Sequence, residues 1–454
     1  MKKMLLLGVA FATFALNAPA HAELKFKPGE DKRFNWANFE DLKKVDLKGE
    51  TLTIFGPWRG EDETLVRSVL DYFSEATGAE VKYSSSENYE QQIVIDTQAG
   101  SPPNIAVLPQ PGLIQDLASK GVLTPLGDDV AAWIKENYAA GDSWAKLGTY
   151  TGKDGKSAFY AFPYKIDVKG LVWYSPDNFE EAGYKVPKTQ EELAELEKKI
   201  IADGAKPWCI GLGSGGATGW PATDWVEDIM LATAGQDTYT QWVNHEIPFT
   251  DPAVKNAVQM FGDVMFHPGY VLGGADQTPS IAFGDAPLPM FDDPPGCWLH
   301  RQASFINASF PEDAVAGVDY DWFPFPPIDQ QGVLFAGEFA VVGTNGNRPE
   351  TKNFLDQFMA EKIQCAIGGV TASSRISPNV NVGPDCYANS ILADASVVLT
   401  EALASGTGRF DASDMMPAAV GSGSFWTGMV RYMQDGPDSL QSVLDEIEAS
   451  WPAS

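Results

Sequence analysis

The sequence predicts an α/β fold with more than one domain. The chain has 454 residues, of which 44% are hydrophobic. Since a domain usually holds about 100–200 residues, this length predicts two or three of them, each with enough apolar side chains for a core. The N-terminal part then alternates strand-like and helix-like hydrophobic patterns, which is typical of sheets with parallel neighbours.

The first strand–helix–strand unit lies between residues 51 and 83. Residues 51–55 alternate in polarity as a strand does, and apolar side chains then recur at helical spacing from Leu65 to Phe73. Gly78 is a signal for the end of a helix, and Val81 and Tyr83 resume a period of two. We therefore predict two parallel strands joined by a helix.

A short apolar run at residues 105–108 predicts a buried parallel strand. Prolines bound it on both sides, at residues 102–103 and at Pro109. In open α/β sheets, ligands bind beyond the carboxyl ends of the strands. We therefore expect the loops after Phe55 and Leu108 to form walls of a binding site.

Two later stretches extend the strand-like pattern. Residues 168–174 begin a second αβ series, and residues 333–342 form another strand-like run, which a helical pattern near residues 354–359 follows. The predicted class is therefore α/β along the whole chain.

Residues 1–22 have the pattern of an export signal. Lys2 and Lys3 precede an apolar run at residues 4–16, and Ala20 and Ala22 form an A-x-A cleavage site. The apolar run is shorter than the roughly 20 residues that a membrane span needs. We expect cleavage after Ala22 and export of the remaining chain.

The charge balance narrows the class of ligand. The chain has 32 basic against 61 acidic residues, a formal charge of −29, and removal of residues 1–22 takes away two lysines and no acid, which leaves −31. Such an acidic surface repels phosphate backbones and anionic membrane surfaces, so we expect neither nucleic acid nor lipid headgroups as partners. A neutral or cationic ligand is favoured.

The four cysteines are expected in an oxidising compartment, where they can pair in three ways. The 20-residue gap between Cys365 and Cys386 contains glycines and prolines and favours a local loop closure, which leaves Cys209 with Cys297. A zinc site is the alternative, but it needs C-x-x-C or clustered histidines, and the histidines here are scattered singly. We expect no metal and no cofactor.

The sequence contains no convincing catalytic motif. Residues 211–216 match the G-x-G-x-x-G of a dinucleotide site, but Trp220 and Pro221 follow within five residues, so we expect a flexible loop. No G-x-S-x-G nucleophile motif occurs. The adjacent carboxylates of Asp292 and Asp293 do not by themselves indicate a glycosidase, which needs a defined separation between two carboxyl groups.

Tryptophans beside polar groups indicate a carbohydrate site. The chain has 13 tryptophans, among them Trp58 next to Arg59, Trp220 near Asp224, and Trp426. A flat ring covers the C–H face of a sugar, while carboxylate, amide and guanidinium groups bind its hydroxyls. For any single tryptophan, a place in the core is the alternative.

Five features follow one another along the chain: the signal sequence, the strand–helix–strand start, and residues 103–107, 162–174 and 423–426. In this order they resemble the extracellular sugar-binding proteins of ABC importers, which are relatives of maltose-binding protein. The similarity covers the mature chain and is greatest to the α-glucoside-binding subgroup. It implies a two-lobed periplasmic-binding-protein fold of type II with three hinge crossings.

The resemblance also implies where the lobes divide. The crossings are expected near residues 165–170, 331–337 and 370–376. Lobe one would hold residues 23–165 and 336–370, and lobe two residues 166–335 and 371–454. A Cys209–Cys297 bond would then lie within lobe two, and a Cys365–Cys386 bond would straddle the third crossing.

The resemblance implies a binding function without catalysis. The expected protein is a periplasmic monomer that binds a neutral α-glucoside, of the sucrose, trehalose or maltose type, and delivers it to ABC permease subunits in the inner membrane. Two alternatives stay open. The same fold could bind a polyol or a charged sugar derivative, with Arg59, Lys165 and Arg375 holding an anion, or the chain could be a secreted carbohydrate-active enzyme.

Eleven residues are expected to bind the ligand. Positions that contact sugar in the family correspond here to Trp58, Arg59, Glu87, Gln110, Asp167, Trp220, Asp292 and Trp426. Asp292 stands in a loop where relatives carry Gly-Pro-Trp, which is a departure from the family pattern. Nearness to the hinge and the cleft adds Glu338, Arg375 and Asp414.

Overall fold

The computed structural model describes residues 24, 27–30, 36–344, 346, 375–387 and 389–452. The predicted signal sequence, Cys365, the helix expected near residues 354–359 and most of the third crossing lie outside the described residues. No helix among the described residues is long and apolar enough to span a membrane.

Twelve strands of the described chain form three sheets. In chain order they are β1 (Thr51–Phe55), β2 (Glu80–Ser84), β3 (Ile105–Leu108), β4 (Leu123–Thr124), β5 (Thr149–Thr151), β6 (Ser157–Phe159), β7 (Ala161–Val168), β8 (Leu171–Tyr174), β9 (His300–Gln302), β10 (Asp321–Pro324), β11 (Val333–Gly343) and β12 (Gly408–Phe410).

The α-helices of the described residues pack around these sheets. They are α1 (Trp36–Leu42), α2 (Glu61–Thr77), α3 (Tyr89–Gln98), α4 (Pro111–Lys120), α5 (Asp128–Asn137), α6 (Gly141–Leu147), α7 (Pro176–Ala182), α8 (Gln190–Ala202), α9 (Trp220–Val243), α10 (Pro252–Met265), α11 (Ser390–Ser405), α12 (Ala412–Met415), α13 (Trp426–Asp435) and α14 (Leu440–Ala449).

The largest sheet confirms the strand–helix–strand prediction. Its main order is β12-β11-β3-β1-β2, and β1 runs parallel to both β2 and β3. Helix α2 ends at Gly78, whose φ of 78° suits a residue without a Cβ. All four residues of β3 are buried, as its unbroken apolar run predicts. The loops after β1 and β3 therefore lie at neighbouring strand ends.

Buried apolar side chains form two clusters. The first contains side chains of β1, β3, β7 and β11, among them Ile54, Leu108 and Phe339. The second contains side chains of α9, α10, α13 and α14, such as Trp225 and Phe261. Helix α11 packs in the first cluster, although the lobe boundaries assign residues 371–454 to lobe two. Those boundaries stay a prediction.

The three segments expected to cross between lobes lie side by side. Strands β7 and β11 are antiparallel, with Ile166 opposite Gly337. On the other side of β7, the backbone N–H of Ile166 donates to the carbonyl of Ile376 at 2.9 Å. We call these three neighbouring stretches the hinge ribbon.

The predicted disulfide between Cys209 and Cys297 is confirmed. The two Cα atoms lie 5.4 Å apart, and 88 positions separate the residues in sequence. Cys386 is also disulfide-bonded. Its predicted partner, Cys365, lies outside the described residues.

Candidate functional site

A cleft with a volume of about 580 Å³ lies between the two apolar clusters. Residues of β7 and β11 form its floor, and the loops after β1, β2 and β3 form one wall. The opposite wall comes from the residues before α9, the segment 282–285, and α12 with the start of α13. The loops after Phe55 and Leu108 therefore border this cleft, and their part in ligand binding stays a prediction. The size is that of a small-molecule site.

The structure brings nine of the eleven predicted residues to this cleft. They are Trp58, Arg59, Glu87, Gln110, Asp167, Trp220, Glu338, Asp414 and Trp426. That they line a cleft does not yet make them ligand contacts, which stay a prediction.

The other two predicted residues, Arg375 and Asp292, do not line the cleft. Arg375 lies behind the wall, since its guanidinium sits over the ring of Trp58, 5.1 Å from the centroid, and pairs with Asp62 at 2.7 Å. Asp292 is exposed. The residue before it, Phe291, packs on Phe310 with ring centroids 5.1 Å apart, and this contact holds the Asp292 loop away from the cavity.

Trp58 forms a rigid part of the first wall. It follows β1, is 7% exposed and stacks on Tyr83 with ring centroids 5.6 Å apart and an angle of 20°. Its Nε1–H donates to Oε2 of Glu338 at 2.9 Å. Because these contacts come from β2 and β11, the ring is held in place without any ligand.

A buried ionic cluster lies on the hinge ribbon. Lys165 and Asp167 point to the same side of β7, as residues two apart in a strand do. Lys165 Nζ lies 3.2 Å from Oδ2 of Asp167 and 3.0 Å from Oε1 of Glu338, which stands opposite it on β11. Burial acts to lower the pKa of Lys165, but the two carboxylates hold it above its usual value. Lys165 is therefore a charged, internally paired group.

Asp167 makes the stability of this cluster pH-dependent. Burial raises its pKa from 3.8 to about 6. The folded protein then binds this proton more tightly than the unfolded chain does, so the contribution of Asp167 to the free energy of unfolding falls as the pH rises from about 4 to about 6. We expect Asp167→Asn, which cannot titrate, to gain stability relative to wild type over this range in urea unfolding at several pH values.

Asp203→Asn is the control for this measurement. Hydrogen bonds from Tyr184 and Lys199 lower the pKa of Asp203, so its removal should give the opposite sign. A difference between Asp167→Asn and wild type that does not change with pH would contradict the prediction.

A second buried ionic cluster surrounds Lys169, just beyond β7. Its Nζ lies 3.0 Å from both carboxylate oxygens of Asp224 and 3.0 Å from Oδ2 of Asp411. Burial raises the pKa of Asp224 to about 7. Burial would raise the pKa of Asp411 as well, but Lys169 and the backbone N–H of Asp414 hold it below its usual value. The ammonium therefore binds two carboxyl groups at once.

Three carboxyl groups here are close enough to hold a metal ion. Oxygens of Asp224, Glu227 and Asp411 lie within 4.8 Å of one another. Lys169 already binds two of these groups, and the oxygens of Glu227 accept the backbone N–H groups of Ala412 and Ser413 at 2.8 and 3.1 Å. The donor atoms are thus used by the protein itself, and the cluster reads as a structural ion pair.

Two tryptophans stand on the second wall. Trp220 begins α9 and packs on Phe283 and Phe305, with ring centroids 5.1 and 5.9 Å away. Trp426 begins α13, and its Nε1–H donates to Oγ of Ser413 at 3.2 Å. With Trp58 on the first wall, the cleft has aromatic rings on both sides.

Gln110 lines the cleft and carries a buried acceptor without a partner. It is 4% exposed, and its Nε2 donates to Oε1 of Glu90 at 3.2 Å, while its own Oε1 has no hydrogen-bond partner. Burial raises the pKa of both Glu90 and Asp414, which also line the cleft. A neutral carboxyl can donate a hydrogen bond as well as accept one. These groups, on both walls, therefore suit a ligand with hydroxyl groups.

Sequence reasoning missed several residues of the cleft: Glu90, Lys169, Phe283, Phe305, Asp411 and Ser413. One signal was available. Charged residues at positions 165, 167 and 169 alternate with apolar ones at the end of an otherwise apolar stretch, a pattern that predicts three charges on one face. Phe283 and Phe305 lie outside the named strands and α-helices, where no periodicity could indicate them.

The cleft carries more acidic than basic groups. Among the described residues that line it, eight are acidic: Asp62, Glu87, Glu90, Asp167, Asp285, Glu338, Asp411 and Asp414. Three are basic, and each is already paired: Lys165 and Lys169 within their buried clusters, and Arg59 with Glu87 at 3.2 Å. A neutral ligand suits this balance better than an anion.

Two apolar clusters, a hinge ribbon and a cleft lined by aromatic and polar side chains together define a ligand-binding protein of the two-lobed type. Residues 56–364 match the family model of the bacterial extracellular solute-binding proteins. The chain belongs to this family, which confirms the resemblance stated from the sequence.

Two relatives align with this chain over nearly all of its length. The alpha-glucosides-binding periplasmic protein AglE of Rhizobium meliloti (strain 1021) is 55% identical over 463 residues, covering 99% of each chain. The osmoprotective compounds-binding protein GgtB of Synechocystis is 39% identical, covering 91% of this chain and 93% of its own. Both are solute-binding proteins and not enzymes.

Solved structures confirm the fold class. The bacterial solute receptor AcbH aligns with a TM-score of 0.73 at 19% identity, covering 88% of this chain and 98% of that one. Maltose-bound MalE3 of T. maritima aligns with a TM-score of 0.67 at 15% identity, covering 88% and 100%. The α/β two-lobed fold predicted from the sequence is therefore the fold of the chain.

Proposed function

We propose that this chain is the periplasmic substrate-binding component of an ABC sugar importer. Its ligand is a neutral α-glucoside of the sucrose, trehalose or maltose type. The observation that carries the proposal is the cleft, in which Trp58, Trp220 and Trp426 stand among carboxyl and amide groups while every lining cation is paired with an acid of the protein. The 55% identity to AglE supports the choice of an α-glucoside.

The polar groups of the cleft match the chemistry of sugar hydroxyls. A hydroxyl both donates and accepts a hydrogen bond, so it suits the amide and carboxyl groups that line the cleft, among them Gln110, Glu90 and Asp414. A phosphate or sulfonate needs unpaired cations, and capturing one would require breaking the buried pairs of Lys165 or Lys169. The charged-sugar alternative is therefore disfavoured.

Export and delivery complete the proposal. Residues 1–22 direct the chain to the periplasm, where the mature protein acts as a monomer. Because each wall supplies part of the contacts, the sugar binds the closed form better and shifts the population toward it. The permease subunits then recognise the closed, loaded form.

Isothermal titration of the purified mature chain tests the ligand. We expect heat from at least one of trehalose, sucrose and maltose, and none from glucose 6-phosphate, because the phosphate finds no unpaired cation. Absence of binding to all three disaccharides, or tighter binding of the phosphate, would contradict the proposed ligand class. Thin-layer chromatography of the same mixtures should show intact sugar, as expected for a binding protein.

A polyol is the second candidate. The name of GgtB, which refers to osmoprotective compounds and not to a glucoside, favours including one. Sorbitol and mannitol therefore belong in the same titration. If they bind and the three disaccharides do not, the site is a polyol site.

A further inference from the structure

The glycine motif at residues 211–216 has no part in the proposed function so far. The sequence predicts a flexible loop here, but backbone hydrogen bonds hold the motif to a neighbouring segment. The N–H of Gly213 donates to the carbonyl of Ile281 at 2.8 Å, and its carbonyl accepts from the N–H of Phe283 at 2.9 Å. Trp220 and Pro221 begin α9 and do not interrupt it, since proline fits the first turn of a helix. The motif is thus fixed to the segment that supplies Phe283 to the second wall.

The end of the motif touches the opposite wall. The backbone N–H of Gly216 donates to the carbonyl of Glu87 at 3.3 Å. Gly215 has a φ of +56°, and a Cβ at this position would lie 2.6 Å from the same carbonyl oxygen. A Cβ at Gly216 would lie 2.9 Å from Oδ1 of Asn88. The positive φ and the close backbone oxygen therefore require glycine at position 215, whereas a side chain at position 216 would meet only side-chain atoms such as Oδ1 of Asn88.

This contact lies where the cavity meets solvent. Ser86 and Glu87 line the cavity from the first wall, and Ser214 and Ala217 line it from the second. Gly215 and Gly216 are exposed, whereas Ala217 is 6% exposed. The contact between the walls therefore has solvent on one side and the cavity on the other, and we call it the glycine bridge (Gly215 and Gly216 with Glu87 and Asn88).

We propose that the glycine bridge closes one end of the cleft and so limits the ligand to a short saccharide that lies wholly inside it. This inference rests on the proposed function, because it concerns the length of the same sugar. A longer chain that left the cleft at this end would have to separate Gly216 from Glu87.

The neighbours of each glycine explain why the loop carries this sequence motif. Gly211 and Gly213 each leave only 2.8 Å between an added Cβ and the carbonyl oxygen of Ile281, and Gly216 faces Asn88. Close approach to the backbone of Ile281 therefore explains Gly211 and Gly213, whereas Gly216 meets only side-chain atoms. No phosphate is needed to explain them.

The test compares Gly215→Ala with Gly183→Ala. Gly183 also has a positive φ, +67°, but a Cβ there meets nothing within 4 Å, so the two changes share the backbone strain and only the first disturbs the bridge. Each protein is titrated with maltose, maltotriose and maltotetraose and with sucrose, raffinose and stachyose. Small-angle scattering without sugar gives the radius of gyration of each variant.

In wild type, we expect the disaccharide to bind. The tetrasaccharide of the same series should bind at least about ten-fold more weakly, which corresponds to a difference of about 1.4 kcal/mol in binding free energy. Gly215→Ala should weaken the disaccharide by about five-fold, the size of one lost hydrogen bond, and reduce the preference for it. Its radius of gyration should rise. Gly183→Ala should match wild type in both measurements.

Three results would overturn the inference. They are equal affinity of wild type for the disaccharide and tetrasaccharide, an unchanged preference in Gly215→Ala, or equal radii of gyration for the two variants. Failure of the proposed function is different, since then none of the sugars binds wild type. In that case the scattering comparison still decides whether the bridge holds the walls together.

Discussion

Replacing Lys169 by methionine is expected to lower the free energy of unfolding by about 3–5 kcal/mol, since it leaves buried carboxylates without their counter-charge. Lys169 is 6% exposed and lies 3.0 Å from oxygens of both Asp224 and Asp411. Methionine keeps the length of the side chain, so lost packing contributes little. Urea unfolding at pH 7, followed by tryptophan fluorescence, measures the loss.

Lys199→Met is the matched control for the buried pair. Lys199 pairs with Asp203 at 3.2 Å, but both side chains are about half exposed, and such pairs contribute only about 0–1 kcal/mol. The Lys169 variant should also recover stability as the pH falls, because its buried carboxyl groups then take up protons. Equal urea midpoints for Lys169→Met and wild type at pH 7 would show that the ammonium does not stabilise the fold.

Replacing Trp426 by alanine is expected to weaken disaccharide binding by about 2 kcal/mol, or about 30-fold, the loss typical of a buried aromatic contact. The ring lines the cleft, is 3% exposed and is fixed by the hydrogen bond from its Nε1 to Ser413. The affected quantity is the Kd from calorimetric titration with the best disaccharide ligand.

Trp144→Ala is the control that distinguishes an effect on sugar binding from an effect on stability. Trp144 is 1% exposed and packs on Phe335 in the first apolar cluster, and it does not line the cleft. Both variants should unfold at lower urea concentration, but only Trp426→Ala should raise the Kd. If both leave the Kd unchanged, Trp426 serves the core alone.

The strands of the first sheet could be predicted because their signals are local. Residues 51–55, 80–84 and 105–108 carry period-two or continuous apolar patterns, and glycines and prolines mark the ends of the elements. The position of the site followed from the same patterns, since parallel strands place their carboxyl ends at one edge. Of the nine predicted residues that line the cleft, Trp58, Arg59, Glu87 and Gln110 do so for this reason, whereas the other five came from the family resemblance or from nearness to the hinge and cleft.

The ionic clusters could not be predicted because they join distant parts of the chain. Lys169 and Asp224 are 55 positions apart, and Lys165 and Glu338 are 173 apart. No local pattern tells which acid a buried lysine will pair with. The family resemblance likewise placed Asp292 in the site, whereas the contact of Phe291 with Phe310 directs that loop elsewhere.

Strand β7 has a consequence for how its length can change. Every one of its eight residues is buried, and Lys165 and Asp167 face the cleft while Ile166 and Val168 lie in the apolar cluster. Inserting or deleting one residue within the strand would exchange its two faces beyond that point. The charged side chains would then lie in the apolar cluster, and the aliphatic side chains would line the cleft. We therefore expect length differences between homologous chains in their surface loops and not within this strand. A one-residue insertion into β7 should abolish both folding and ligand binding.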